Sequence, residues 1–225
     1  MPPIWGLSFF QLKNLTTLIW IIQVIHDMKV LVACEFSQVV TKAFRKIGHD
    51  AYSCDILDTE GNPNWHIKDD VLNHLNENWD MMIGHPDCTY MANSGVCWLH
   101  KDESRWGKLD HACEFFNKLK KAPIEKICLE NPIPHKYARN NIGKYTQIIQ
   151  PYQFGHLERK ATCLWLKNLP KLIPTNDVKE EMKKLPKNIS QRIHYTPPGK
   201  DRWKIRSRTF QGIADAMADQ WGMIL

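Results

Sequence analysis

The feature that most constrains this chain is a strand–turn–helix–strand pattern over residues 29–55. Lys29 to Cys34 (KVLVAC) is a continuous β-prone run, the composition expected of a parallel strand buried on both faces. Glu35-Phe36-Ser37 reads as a turn, with Ser37 placed to cap a following helix. Apolar residues at 39, 40, 43, 44 and 47 form a helical stripe, and Gly48 ends it. His49 to Cys54 is a second strand with Asp55 at its carboxyl end. A βαβ unit this short needs a parallel sheet and a helix packed across it.

The rest of the first half repeats the alternation. Residues 58–68 read as a polar loop, and Asp69-Asp70 as the cap of a short helix over 71–76. Met81-Met82-Ile83 is a buried strand ended by Gly84. Residues 102–120 place Trp106, Leu109, Cys113, Phe116 and Leu119 at helical steps, and Ala122-Pro123 breaks them. Ile127-Cys128-Leu129 is a further strand running into Glu130-Asn131-Pro132. Strands alternating with helices predict an α/β fold with a doubly wound, mostly parallel sheet. Beyond Pro132 the reading is a loop at 138–143, late strands within 145–151 and 163–166, and irregular chain over 168–202. Residues 201–209 (DRWKIRSRT) are strongly basic, and 213–223 form a closing helix. The chain divides into a core at 28–167, a Pro-, Asn- and Lys-rich segment at 168–202, and a basic segment with a helix packing on the core at 203–225.

Residues 1–27 differ in character from the rest of the chain. Leu15 to Ile25 is an apolar run of eleven residues, short of the roughly 20 that span a bilayer. It also lacks the basic flank and cleavage site of a signal peptide. Two readings stand: an upstream extension ahead of Met28, or an added helix packing on the domain. The seven cysteines are odd in number and include no C-x-x-C pair, which points to reduced thiols in a cytoplasmic protein rather than a disulfide framework. A net charge of +6 suits a polyanionic partner.

Chemistry concentrates in Trp79 to Gly95 (WDMMIGHPDCTYMANSG). Cys88 lies just past a strand end, where open α/β sheets bind ligands, and is a candidate nucleophile. The alternative is a small buried hydrophobe. His85, Cys88, Cys97 and His100 also have the residue types of a zinc site. Other strand ends deliver Phe36-Ser37, Asp55 and Glu130, and Asp70 lies in the next polar turn.

Taken in this order, these residues resemble the DNA cytosine-5 methyltransferase family, in a short form of the phage and prophage type. Phe36-Ser37 resembles the turn that holds S-adenosylmethionine, Asp55 the acid for its ribose, and Asp70 the acid near its adenine. Pro86 and Cys88 resemble the nucleophile loop, and Glu130-Asn131-Pro132 the Glu-Asn-Val motif. Glu158-Arg159-Lys160 loosely resembles the Gln-x-Arg-x-Arg motif, with Arg159 taken as its base-holding cation. The resemblance covers about residues 28–222 and implies a Rossmann-like methyltransferase fold without a large target-recognition domain. It implies a bacterial cytoplasmic location, S-adenosylmethionine as cofactor, and DNA or a nucleotide as substrate. It also implies a Cys88 adduct with cytosine, with Glu130 and Arg159 assisting.

Three positions depart from the family pattern. Gln38 stands where the family has Gly, Asp87 replaces a Pro beside Cys88, and Pro132 replaces Val. An acid beside the thiol is expected to raise its pKa. A second function class therefore stays open: a nucleotide- or nucleic-acid-binding protein on the same fold that sequesters its ligand without chemistry, in a counter-defence role.

Overall fold

A computed structural model describes residues 27–223, so the two readings of residues 1–27 fall, Asp27 apart, outside the described residues. Among the described residues, seven strands form one sheet: β1 (Lys29–Ala33), β2 (Asp50–Asp55), β3 (His66–Lys68), β4 (Met81–Gly84), β5 (Lys126–Pro132), β6 (Gln147–Ile149) and β7 (Thr162–Lys167). The described helices are α1 (Val39–Lys46), α2 (Val96–Leu99), α3 (Ser104–Lys120), α4 (Lys136–Ile142), α5 (Lys179–Lys183), α6 (Lys187–Ser190), α7 (Arg202–Ser207) and α8 (Gln211–Trp221). The strand order is β3-β2-β1-β4-β5-β7-β6. The first five strands pair in parallel, whereas β7 is antiparallel to both β5 and β6. This is the doubly wound, mostly parallel, Rossmann-like arrangement that the sequence predicts.

The sheet is apolar on both faces, as a layer covered by helices on each side must be. Val30, Val32, Met81, Ile83, Cys128 and Leu164 face one core with α1 and α8. Leu31, Met82, Ile127, Leu129 and Cys163 face the other with α3 and α4. The alternation reflects the two-residue period of a strand. Phe44, Phe116 and Trp221 are fully buried anchors on these helices. Each large apolar side chain of this kind contributes about 1.5–3 kcal/mol. Trp221 keeps its indole N–H satisfied by donating to the Pro170 carbonyl at 3.0 Å.

β7 reverses because nothing helical longer than a single turn separates it from β6, and a parallel neighbour needs a crossover connection. Three sequence expectations change. Residues 138–143, expected as a loop, mostly belong to α4. Its cap is His135, whose Nδ1 accepts from the Ala138 amide at 3.1 Å, a cap type outside the usual Ser, Thr, Asp and Asn signal. The polar loop at 58–68 ends in β3, which adds a short edge strand beside β2. The segment 168–202 contains α5 and α6, and the basic stretch after it contains α7. No helix among the described residues is long and apolar enough to cross a membrane.

Candidate active site

The strand order reverses direction between β1 and β4, and at such a switch point the two outgoing loops diverge and leave a crevice at the carboxyl ends of the strands. A cleft lies here. It is lined by Cys34–Ser37 after β1, His85–Cys88 after β4, Glu130 and Pro132 on β5, Lys160 before β7, and Arg206–Thr209. A larger, shallow depression near Leu72, Glu114 and Pro123 contains none of the predicted site residues. Gly84 lets the β4 exit lie close to β5: a Cβ there would sit 2.7 Å from Leu129 Cδ2.

The turn after β1 is built around Glu35, a residue that no sequence signal singles out. Cys34 has φ 58, a left-handed conformation in which the chain folds sharply back. Buried Glu35 then accepts from the Val40 amide at 2.8 Å, the Thr41 amide at 3.2 Å and the Thr41 hydroxyl at 2.7 Å. It thereby satisfies the free N–H groups at the positive end of α1. Ser37, expected to cap α1, instead donates its hydroxyl to Glu35 at 3.4 Å. A carboxylate two residues upstream reaches the first-turn amides and outcompetes the shorter hydroxyl. Gln38 also takes a left-handed conformation, φ 57. Its fully buried side chain donates to Ser53 Oγ and the Asn62 carbonyl and accepts from the Asn62 amide at 2.7 Å. Gln38 therefore ties the turn to the loop after β2, and its side chain stays out of the cleft lining.

Across the cleft, His85 Nδ1 and Glu130 Oε2 are 2.9 Å apart, with both side chains largely buried. Burial pushes the His85 pKa down, but the hydrogen bond and charge of Glu130, with Glu35 behind them, push it further up. Burial likewise raises Glu130, and the His85 bond and charge, aided by Lys160, outweigh it and leave the carboxyl below its ordinary value. The two directions agree in that each group favours the charged form of the other. Burial raises the Cys88 thiol, Asp87 raises it further, and Lys160 opposes them. Asp87 has a local structural task as well: its Oδ1 accepts from the Thr89 amide at 3.0 Å and the Thr89 hydroxyl at 2.6 Å, shaping the loop.

Of the predicted site residues, Phe36, Ser37, Pro86, Cys88 and Glu130 line this one cleft. Arg159 does not. It is exposed and donates its backbone N–H to the Ser190 carbonyl at 2.7 Å, while the neighbouring Lys160 turns into the cleft. In irregular chain ahead of a strand, sequence alone does not show which of two adjacent cations faces inward. Asp55 and Asp70 flank the cleft beyond its lining. Both charges act on Cys34, whose thiol is driven far up by burial and then by Asp55, Cys54, Asp70 and Asp87. Asp55 accepts from the Leu57 amide, and Asp70 caps the turn at Val71–Asn73 through the Leu72 amide. His85, Cys88, Cys97 and His100 do not converge: among the described residues no three His, Cys, Asp or Glu are grouped to hold a metal ion.

No protein-family profile matches this chain, and no curated protein matches it. Among solved structures, it resembles a chain assigned as a DNA modification methyltransferase encoded within a prophage of E. coli, at 17% identity and a TM-score of 0.42. The match covers 71% of this chain and 56% of that one, so this chain spans little more than half the length of its neighbour. At that level the fold assignment stands on the strand order and pairing of the sheet itself.

Proposed function

We propose that this protein is an S-adenosylmethionine-dependent methyltransferase acting on carbon 5 of cytosine in a nucleic acid. The observation that carries the reading is the convergence of Cys88, Glu130 and Lys160 in one cleft, opposite the Phe36-Ser37 turn.

The residues at the cleft suit the cofactor. Asp55 ends β2, where an acid binds ribose hydroxyls, and the next residue, Ile56, is 71% exposed and offers an apolar face to a purine. Asp55, Asp70 and Asp87 all act on the position of Cys34, a negative field that favours a sulfonium cation. Phe36, Ser37, Asp55 and Asp70 would hold the cofactor. S-adenosylmethionine, when bound, supplies the electrophilic methyl group that carbon 5 takes.

The protein's own task is to make carbon 5 nucleophilic. Cys88, as thiolate, adds to carbon 6 of the pyrimidine, and the ring electrons shift towards carbon 5 and nitrogen 3. Glu130 accepts from the exocyclic amine and fixes the ring, while Lys160 stabilises the thiolate and the charge that develops on the ring. After methylation, loss of the carbon 5 proton to solvent and breakage of the C6–S bond release Cys88. A target inside a duplex has to be flipped out of the stack to reach this cleft.

Charge distribution favours a polynucleotide over a free nucleotide. Residues 183–208 contain nine Lys and Arg against one acid, Asp201, more positive charge than the net +6 of the whole chain. Arg206 and Arg208 from this strip reach the cleft, where phosphate contacts would orient the strand.

The raised Cys88 thiol supports a second reading, in which the cleft binds a nucleic acid without chemistry. Incubation with methyl-labelled S-adenosylmethionine and cytosine-containing DNA, or dCMP, separates the two. Label transfer that Cys88→Ala abolishes is the expected result. Binding of DNA by the wild type with no transfer to either substrate would replace the methyltransferase reading with the binding one.

A further inference from the structure

His85 takes no direct part in the carbon 5 chemistry, yet it makes a largely buried side-chain contact to Glu130 in the cleft. Its Nδ1 occupies Glu130 Oε2 at 2.9 Å, and its own backbone N–H donates to the Ala33 carbonyl at 2.9 Å, which fixes the ring's base to the end of β1. The side chains of His85 and Glu130 are only 12% and 10% exposed, so neither rotates freely into solvent. His85 Nε2 is buried and has no hydrogen-bond partner among the described residues, so Glu130 is the partner to which the ring's hydrogen bonding is committed.

We propose that His85 is the positioning residue that decides which pyrimidine the cleft accepts: by engaging one carboxylate oxygen of Glu130, it leaves the other as a bare acceptor for an exocyclic amine. The inference rests on the cytosine reading and adds to it the source of the amine preference. A carboxylate accepts from an amino group at carbon 4 and repels a carbonyl oxygen there. A neutral carboxylic acid has both a donor and an acceptor and tolerates either. Glu130 in so buried a place would tend towards the neutral acid unless a cation opposed it. The charged groups acting on the pair are Glu35 from the β1 turn and Lys160 ahead of β7. Lys160 acts on Glu130 in the same direction as His85 but without the direct bond. Removing His85 therefore takes away both the larger counter-charge and the contact that blocks one oxygen.

The test is exchange at carbon 5, which reports thiol addition without methyl transfer. Cys88 adds to carbon 6, carbon 5 gains a proton from water and loses tritium, and the thiolate leaves. Tritium release is measured from matched oligonucleotides carrying one [5-³H]cytosine or one [5-³H]uracil, with wild type, His85→Asn and His85→Leu. The wild type is expected to prefer cytosine strongly. His85→Leu is expected to reduce the cytosine-to-uracil ratio at least tenfold. His85→Asn, which can still donate an N–H to Glu130, is expected to fall between. A merely structural histidine lowers both rates together, and an unchanged ratio in both variants would overturn the proposal while leaving the cytosine reading intact. No release by the folded wild type from either oligonucleotide would overturn the cytosine reading, and the role of His85 with it.

Discussion

Gln38 offers a direct test of how the β1 turn is built, because its two structural effects have opposite signs. Its backbone is left-handed, φ 57, which costs an L-residue about 1–2 kcal/mol. Its side chain makes three hydrogen bonds, to Ser53 Oγ at 3.1 Å, the Asn62 carbonyl at 2.9 Å and the Asn62 amide at 2.7 Å. At about 1 kcal/mol each these contribute about 3 kcal/mol, and the buried partners left behind make their loss more costly. Gln38→Ala loses the bonds and keeps the strain, so it should destabilise by about 3–4 kcal/mol. Gln38→Gly loses the same bonds but relieves about 1–2 kcal/mol of strain, offset by about 0.5–1 kcal/mol of extra chain entropy in the unfolded state. Taken at the middle of these ranges, the glycine variant should therefore be more stable than the alanine variant by about 0.75 kcal/mol. With a urea m-value of about 2 kcal/mol/M, that is a midpoint difference of roughly 0.3–0.5 M. Urea unfolding of the three proteins measures it. Because Phe36 is bonded to Thr59 and Glu60 in the same loop, amide exchange at 59–62 should also quicken in both variants. An alanine variant as stable as the glycine variant would refute the left-handed turn at 38.

The site itself leads to three further expected outcomes. Asp87→Asn keeps the acceptor for Thr89 but removes the charge second to burial in raising Cys88, so alkylation by iodoacetamide at pH 8 should speed up about two- to fivefold; an unchanged rate would contradict the charge effect. The His85–Glu130 pair should stabilise the fold most between the ordinary Glu value of 4.5 and the ordinary His value of 6.5. Its Glu130 part is lost as pH falls through the lowered folded pKa, and its His85 part as pH rises through the raised one. Denaturation midpoints measured across pH should show that maximum, and Glu130→Gln should flatten it. Arg206→Gln should weaken DNA binding alike for all sequences and reduce the slope of log K against log salt by about 1. A sequence-dependent loss there would place Arg206 on a base edge instead.

Much of the fold is legible in the sequence because parallel strands leave a strong local signal. VLVA, MMI and ICL are apolar without alternation, and each run lies within β1, β4 or β5 in the structure. The edge elements leave a weaker one. β3 and β6 are short, with Ile149 their one buried residue, and become strands only through their partners. The α4 start carries no usual cap signal because a histidine makes the cap.

Cys88 and Glu130 could be chosen from residue type and strand-end position, since every strand of one parallel sheet delivers its carboxyl end to the same edge. The side chains that each strand end then presents depend on how the loops pack, and local sequence does not encode that. Only the tertiary structure decided that Lys160 rather than Arg159 lines the cleft and that Glu35 rather than Ser37 satisfies α1. It alone turned Gln38 away from the cleft and brought His85, forty-five residues from Glu130 in sequence, to within 2.9 Å of it. Sequence periodicity determined the strands and their order of appearance; the contacts between chain-distant loops determined the chemistry those strands present.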